Sequence, residues 1–112
     1  MATYEEILAR RYPGTVWTCG GPYETLEWHD ENTVPKPTQE ELDALQTEVQ
    51  LEIEWEIVRR IRNGLLYESD WTQVDDIPKD IKKKWKKYRQ ELREIPNFFD
   101  DPDFIIWPEK PE

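Results

Sequence analysis

From Thr38 to Leu66 the chain repeats apolar residues at every third or fourth position: Leu42, Leu45, Val49, Ile53, Ile57, Ile61 and Leu65, with Trp55, Val58 and Leu66 beside them. Such spacing draws one stripe along a helix, and Thr38-Gln39-Glu40-Glu41 supplies a capping box at its start. About 28 residues at about 1.5 Å each make a rod of roughly 42 Å. In a chain of 112 residues a small domain does not cover such a rod completely. Part of the stripe is therefore expected to meet another chain. Its mean step is nearer about 3.7 than 3.5 residues, so no long left-handed coiled coil is specified.

Upstream, Thr3-Tyr4-Glu5-Glu6 is another capping box, followed by Ile7 and Leu8. It predicts a short helix over residues 4–11, ended by Tyr12-Pro13-Gly14. Thr15–Cys19 and Tyr23–Trp28, joined by Gly20-Gly21-Pro22, read as a β-hairpin. Alternation puts Trp17 and Cys19 on one face of the first strand and Leu26 and Trp28 on one face of the second. Two strands alone are marginal, so this face is expected to pack on the first helix, on another part of the chain or on a partner. His29–Pro37 is polar and carries Pro35 and Pro37. It reads as a linker that divides a unit of residues 1–34 from one of residues 35–112.

Downstream, Ser69-Asp70-Trp71-Thr72-Gln73 breaks the long helix, and Asp75-Asp76-Ile77-Pro78 opens the next. That helix carries Ile81, Trp85, Tyr88, Leu92 and Ile95 at steps of 4, 3, 4 and 3, with Lys82, Lys83, Lys84, Lys86, Lys87, Arg89 and Arg93 on its other face. Pro96 ends it. The tail from Asn97 holds Phe98, Phe99, Phe104, Ile105, Ile106 and Trp107 between prolines, too apolar for a free end. It is expected to run extended across the two helices or across a partner. The fold class is thus α+β: a small N-terminal helix with a β-hairpin, then a long helix and a second amphipathic helix forming a helical hairpin, closed by an extended aromatic tail.

The net charge of −10 is uneven. Residues 1–58 hold 13 acids and 3 bases, whereas residues 79–94 hold 8 bases and 3 acids. Overall acidity opposes association with phosphate backbones, so no nucleic-acid partner is expected. The lysine-rich face has three other readings: a solvated surface, a face docked on the acidic long helix with its Glu48, Glu52, Glu54 and Glu56, or a contact for an acidic partner. No apolar run approaches the roughly 20 residues of a membrane helix, and Met-Ala-Thr-Tyr-Glu-Glu lacks the features of a signal peptide. A lone Cys19 excludes an internal disulfide and fits a reducing cytoplasm. Six Trp, five Tyr and three Phe are many for so polar a chain. They serve a small core, a partner interface, or both.

Catalytic chemistry finds no foothold. His29 and Cys19 alone cannot build a His/Cys metal site. The clusters Asp30-Glu31 and Asp100, Asp101, Asp103 follow no calcium-loop pattern. There is no nucleophile elbow and no phosphate-binding glycine loop, and nothing singles out a carboxylate pair for glycoside cleavage. No enzyme activity, metal or other cofactor is expected.

One stretch is specific. Arg62-Asn63-Gly64-Leu65-Leu66 leads to Ser69-Asp70-Trp71-Thr72-Gln73; after Pro78 come Trp85, Tyr88-Arg89-Gln90, Leu92-Arg93, then Ile95-Pro96 and Trp107-Pro108. Over residues 55–110 this resembles the C-terminal module of the bacteriophage tail-fibre assembly proteins, the phage tail assembly chaperone family. It departs from the usual pattern in a lysine-rich closing helix and in Gly64, where a larger residue is more typical. The N-terminal half, with Tyr12-Pro13-Gly14, Trp17, Tyr23-Glu24, Leu26-Glu27-Trp28 and Pro35-Lys36-Pro37-Thr38, is similar to the openings of other small phage tail proteins.

The resemblance implies a non-catalytic protein that binds a tail-fibre or other tail or baseplate protein and promotes its folding and trimerisation. It implies work in the host cytoplasm during assembly, without a membrane, and on a trimeric fibre it allows an oligomer. The alternative is a permanent virion part, a fibre-tip cap or adaptor in contact with the host receptor. Arg62 and Asn63 are expected to bond the last helix carbonyls, and Ser69 or Asp70 the open amides of the turn. Trp71 is expected to insert between the helices against Trp85 and Tyr88, with Thr72 and Gln73 bonding backbone and Leu92 in the core. Trp17, Trp28, Trp55, Arg89 and Trp107 are the expected partner contacts.

Overall fold

The computed structural model describes residues 1–112 and contains four α-helices and one two-stranded antiparallel sheet. The architecture is α+β and mostly helical. By packing, the chain divides into two compact units, Met1–Ile53 and Glu54–Glu112. The sequence suggests a division at residues 34 and 35 instead.

In the first unit, α1 (Tyr4–Arg11) begins at a complete capping box. The Glu6 amide donates to Thr3 Oγ1 at 3.1 Å, and the Thr3 amide donates to Glu6 Oε1 at 2.9 Å. These bonds hold the Glu6 carboxyl below its ordinary range, the Thr3 amide being the largest cause. Ile7 and Leu8 are fully buried, which contributes roughly 1.5–3 kcal/mol each. Gly14, at φ 78°, turns the chain out of the helix in the left-handed region that a side chain disfavours.

Strands β1 (Trp17–Thr18) and β2 (Glu27–Trp28) pair antiparallel, Trp17 opposite Trp28. The ladder is shorter than the alternation suggests. Thr25 explains this: its hydroxyl accepts from the Gly20 amide at 2.8 Å and donates to the Pro22 carbonyl at 2.6 Å. Local side-chain bonds thereby take the backbone groups that a longer ladder needs, and Tyr23–Thr25 coils into a 3-10 turn. The expected faces hold. Leu26 is buried, and Trp17, Cys19 and Trp28 pack against the core of Ile7, Leu8, Leu42 and Val49.

The proline segment is no free linker. Asn32 clamps Val16 at both backbone groups, accepting from its amide at 2.8 Å and donating to its carbonyl at 2.7 Å. Trp28 Nε1 donates to the Val34 carbonyl and Tyr23 Oη to the Pro37 carbonyl. The segment therefore belongs to the first unit. So does the start of α2 (Gln39–Glu68), which Thr38 caps through the Glu41 amide. Arg11 bridges Glu48 at 3.5 Å and also Glu52, tying α1 to α2.

In the second unit α2 ends at Glu68, a 3-10 turn covers Asp70–Gln73, and α3 (Lys79–Arg93) follows Pro78. The core is Val58 of α2, Tyr88 and Leu92 of α3, and Ile95 of the short α4 (Ile95–Phe98). Trp55, Leu65, Leu66 and Trp85 pack around it with three tail residues, Phe99, Ile105 and Trp107. Ile57 and Ile61, on the stripe that was expected to be covered only in part, are 47% and 48% exposed. The second core draws instead on Trp55 and Val58, which flank the stripe, and on Leu65 and Leu66.

Candidate functional site

The turn between α2 and α3 is organised by one side chain. Arg89 Nη1 donates to the Leu66 carbonyl at 2.6 Å and to Ser69 Oγ at 2.7 Å; Nη2 pairs with Asp70 Oδ1 at 2.9 Å. The last turn of any helix leaves carbonyls without partners. Here a guanidinium and a serine supply the donors, since Ser69 Oγ lies 2.9 Å from the Leu65 carbonyl and 3.1 Å from that of Leu66. Thr72 is fully buried and donates to the Ser69 carbonyl at 2.6 Å. Gln73 Nε2 reaches the Lys82 carbonyl at 3.3 Å and so ties the turn to α3.

Several expectations for individual residues are corrected. Arg89 is not an exposed contact; it is 8% exposed because its fork fits the helix end. Ser69 bonds carbonyls, not amides, and Asp70 takes the Arg89 charge. Arg62 and Asn63 bond each other at 3.3 Å and leave the helix end to Arg89. Trp71 does not insert between the helices. It is 54% exposed and leans on Trp85 with ring centroids 5.8 Å apart, since Tyr88 already fills the interior place, 5.5 Å from Trp85. Burial raises the Tyr88 hydroxyl above its ordinary range, followed by the charge of Glu68. Leu92 is fully buried, as expected.

Trp17 and Trp28 are half-buried, and Trp28 meets Tyr12 edge-on at 6.1 Å. Trp55 and Trp107 are also half-buried, against the second core. Their exposed edges are what remains for a partner.

Three apolar side chains of the tail, read from sequence only as part of a segment laid across the helices or a partner, face solvent. Phe98, Phe104 and Ile106 are 72%, 75% and 78% exposed. The tail alternates, Ile105 and Trp107 inward, Phe104 and Ile106 outward. That period of two was the available signal. Phe98 and Ile106, with Glu91, Ile95, Phe99, Trp107 and Pro108, line an open apolar groove of about 350 Å³. Asp103 sits near Glu54 and Asp101, and the repulsion, chiefly from Glu54, raises its carboxyl above the ordinary range.

No His, Cys, Asp and Glu side chains gather into a group of three or more that would hold a metal ion. No helix is long and apolar enough to cross a membrane. What the second unit offers is apolar surface beside a cationic helix. A family model described as phage tail assembly chaperone protein matches residues 55–112, nearly the whole of that unit. No curated protein matches the chain, and no solved structure does.

Proposed function

The chain belongs to the phage tail assembly chaperone family, and from that premise we propose that it binds a tail-fibre polypeptide and promotes its folding and trimerisation without catalysis. The observation that carries this reading is the exposure of Phe98, Phe104 and Ile106 in the family-matched segment. Phe98 and Ile106 line one apolar groove, and contiguous exposed apolar surface of this kind marks interaction sites. They cover apolar parts of the fibre chain until its subunits associate, and the net charge of −10 keeps the complex dispersed. The work takes place in the host cytoplasm, before the fibre joins the particle.

The test is to co-express the chain with the fibre gene of the same genome and weigh the products by native mass spectrometry. A soluble fibre trimer that forms only on co-expression and is free of this chain is the expected result. Equal trimer yield without the chain overturns the proposal. A fixed-ratio complex that survives purification makes the chain a structural cap or adaptor instead.

A further inference from the structure

The apolar groove does not stand alone on its helix. Glu91 at its lip shares one row of α3 with Lys87 and Lys84, four and seven residues earlier, and the row ends at Asp80. All four side chains are exposed, and no ion pair engages Lys84 or Lys87. The charge pattern outward from the groove is thus acid, base, base, acid. It differs from a uniformly solvated lysine face in having two limits. The acidity of the molecule is concentrated elsewhere: Met1–Ile53 holds 11 acids against 3 bases, and Glu54–Glu112 holds 14 against 12.

Resting on the reading above, we infer that the groove and the Lys87–Lys84 row together take a short extended segment of the client protein that bears one bulky apolar side chain and, two and four residues from it on the same face, carboxylates. The spacing follows from geometry. Lys87 and Lys84 stand about 6 Å and about 10 Å along the helix from Glu91; an extended strand rises about 3.3 Å per residue and turns every second side chain to the same face, so positions two and four, at about 7 Å and about 13 Å, come within reach of the two long lysines. The apolar side chain fills the space between Phe98 and Ile106. Glu91 repels an acid placed directly beside that side chain, and Asp80 repels acids placed beyond the window. Apolar burial supplies attraction, and the charges set register and choice of partner.

The experiment uses the full chain and fluorescein-labelled peptides. Each peptide carries one leucine with two aspartates two and four positions away, on either its N- or C-terminal side. Anisotropy is expected to show saturable binding that weakens with added salt. Affinity is expected to fall about tenfold in K84E/K87E, and by as much when lysines replace the peptide aspartates. Ile106→Ser is expected to abolish binding. All these positions are exposed, and circular dichroism checks that the variants stay folded. Equal binding of the lysine peptide, undiminished binding by K84E/K87E, or no binding of any peptide overturns the inference. Trimer yield on co-expression is read separately. If yield persists while the peptides fail, only the recognition rule falls; if peptides bind while yield never depends on the chain, the chaperone reading falls.

Discussion

Replacing Arg89 removes a charged donor from three partners at once: the Leu66 carbonyl, Ser69 Oγ and the Asp70 carboxylate. Buried groups that lose a charged donor are costly, and a hydrogen bond to a charged group is worth roughly 1.5–3 kcal/mol. Asp70 remains 60% exposed at its side chain and recovers water, which limits the loss. Arg89→Met is therefore expected to lower stability by about 2–3 kcal/mol in urea denaturation. Arg89→Lys should recover less than half of that, because an ammonium cannot span two acceptors on one nitrogen and a third on another. A loss under about 0.5 kcal/mol for Arg89→Met, the range of an ordinary surface change, would mean that the helix end is satisfied by other means. In the sequence Arg89 reads as a partner contact and Ser69 and Asp70 as turn residues, and nothing links the three. Arginine on a lysine-rich face looks solvated until the chain reverses direction and brings a helix end against it.

Among the elements, α2 carries a glycine at position 64, inside an unbroken helix that runs to Glu68. A methyl group built there meets nothing within 4 Å, and no positive φ is needed. Glycine in a helix interior costs roughly 0.5–1 kcal/mol against alanine. Gly64→Ala is accordingly expected to stabilise the chain by about that amount, read as a higher denaturation midpoint with an unchanged slope. If Gly64→Ala is neutral or destabilising, the glycine is needed for a motion or a contact that the helix alone does not show. α3 tells the opposite story from α2. Its apolar steps of four and three were legible: Tyr88 and Leu92 are buried as the pattern requires, while Ile81 is 36% exposed, and the helix ends at Arg93, so that Ile95 and Pro96, expected to close it, open α4 instead. The pattern of α2 was misleading because its apolar residues serve two cores in turn. Leu42 and Val49 belong to one and Val58 to the other, and no single stripe describes both.

At the scale of the molecule, the two cores have no residue in common. Ile7 lies fully buried in one and Ile95 almost so in the other. Truncating either to valine is expected to cost about 0.5–1.5 kcal/mol. The double variant should lose the sum to within about 0.5 kcal/mol. A coupling energy well beyond that, measured by a double-mutant cycle, would show that the packing of one unit depends on the other.

What the sequence by itself determined is local. Capping at Thr3 and Thr38, the helix over Tyr4–Arg11, the break after Glu68 and the helix after Pro78 all follow from interactions within a few residues. The family membership is also sequence information, since a motif such as Ser69-Asp70-Trp71-Thr72-Gln73 is legible without a fold. The tertiary structure alone decided which side chains are spent internally. Asn32 closing on Val16 drew the proline segment into the first unit, Arg89 turned inward, and Trp71, Phe98, Phe104 and Ile106 were left facing solvent. The physical reason is that local bonding depends on neighbours in the chain. Burial and the pairing of polar groups depend on partners more than a dozen residues away, and composition does not encode which of several tryptophans or arginines will reach them first.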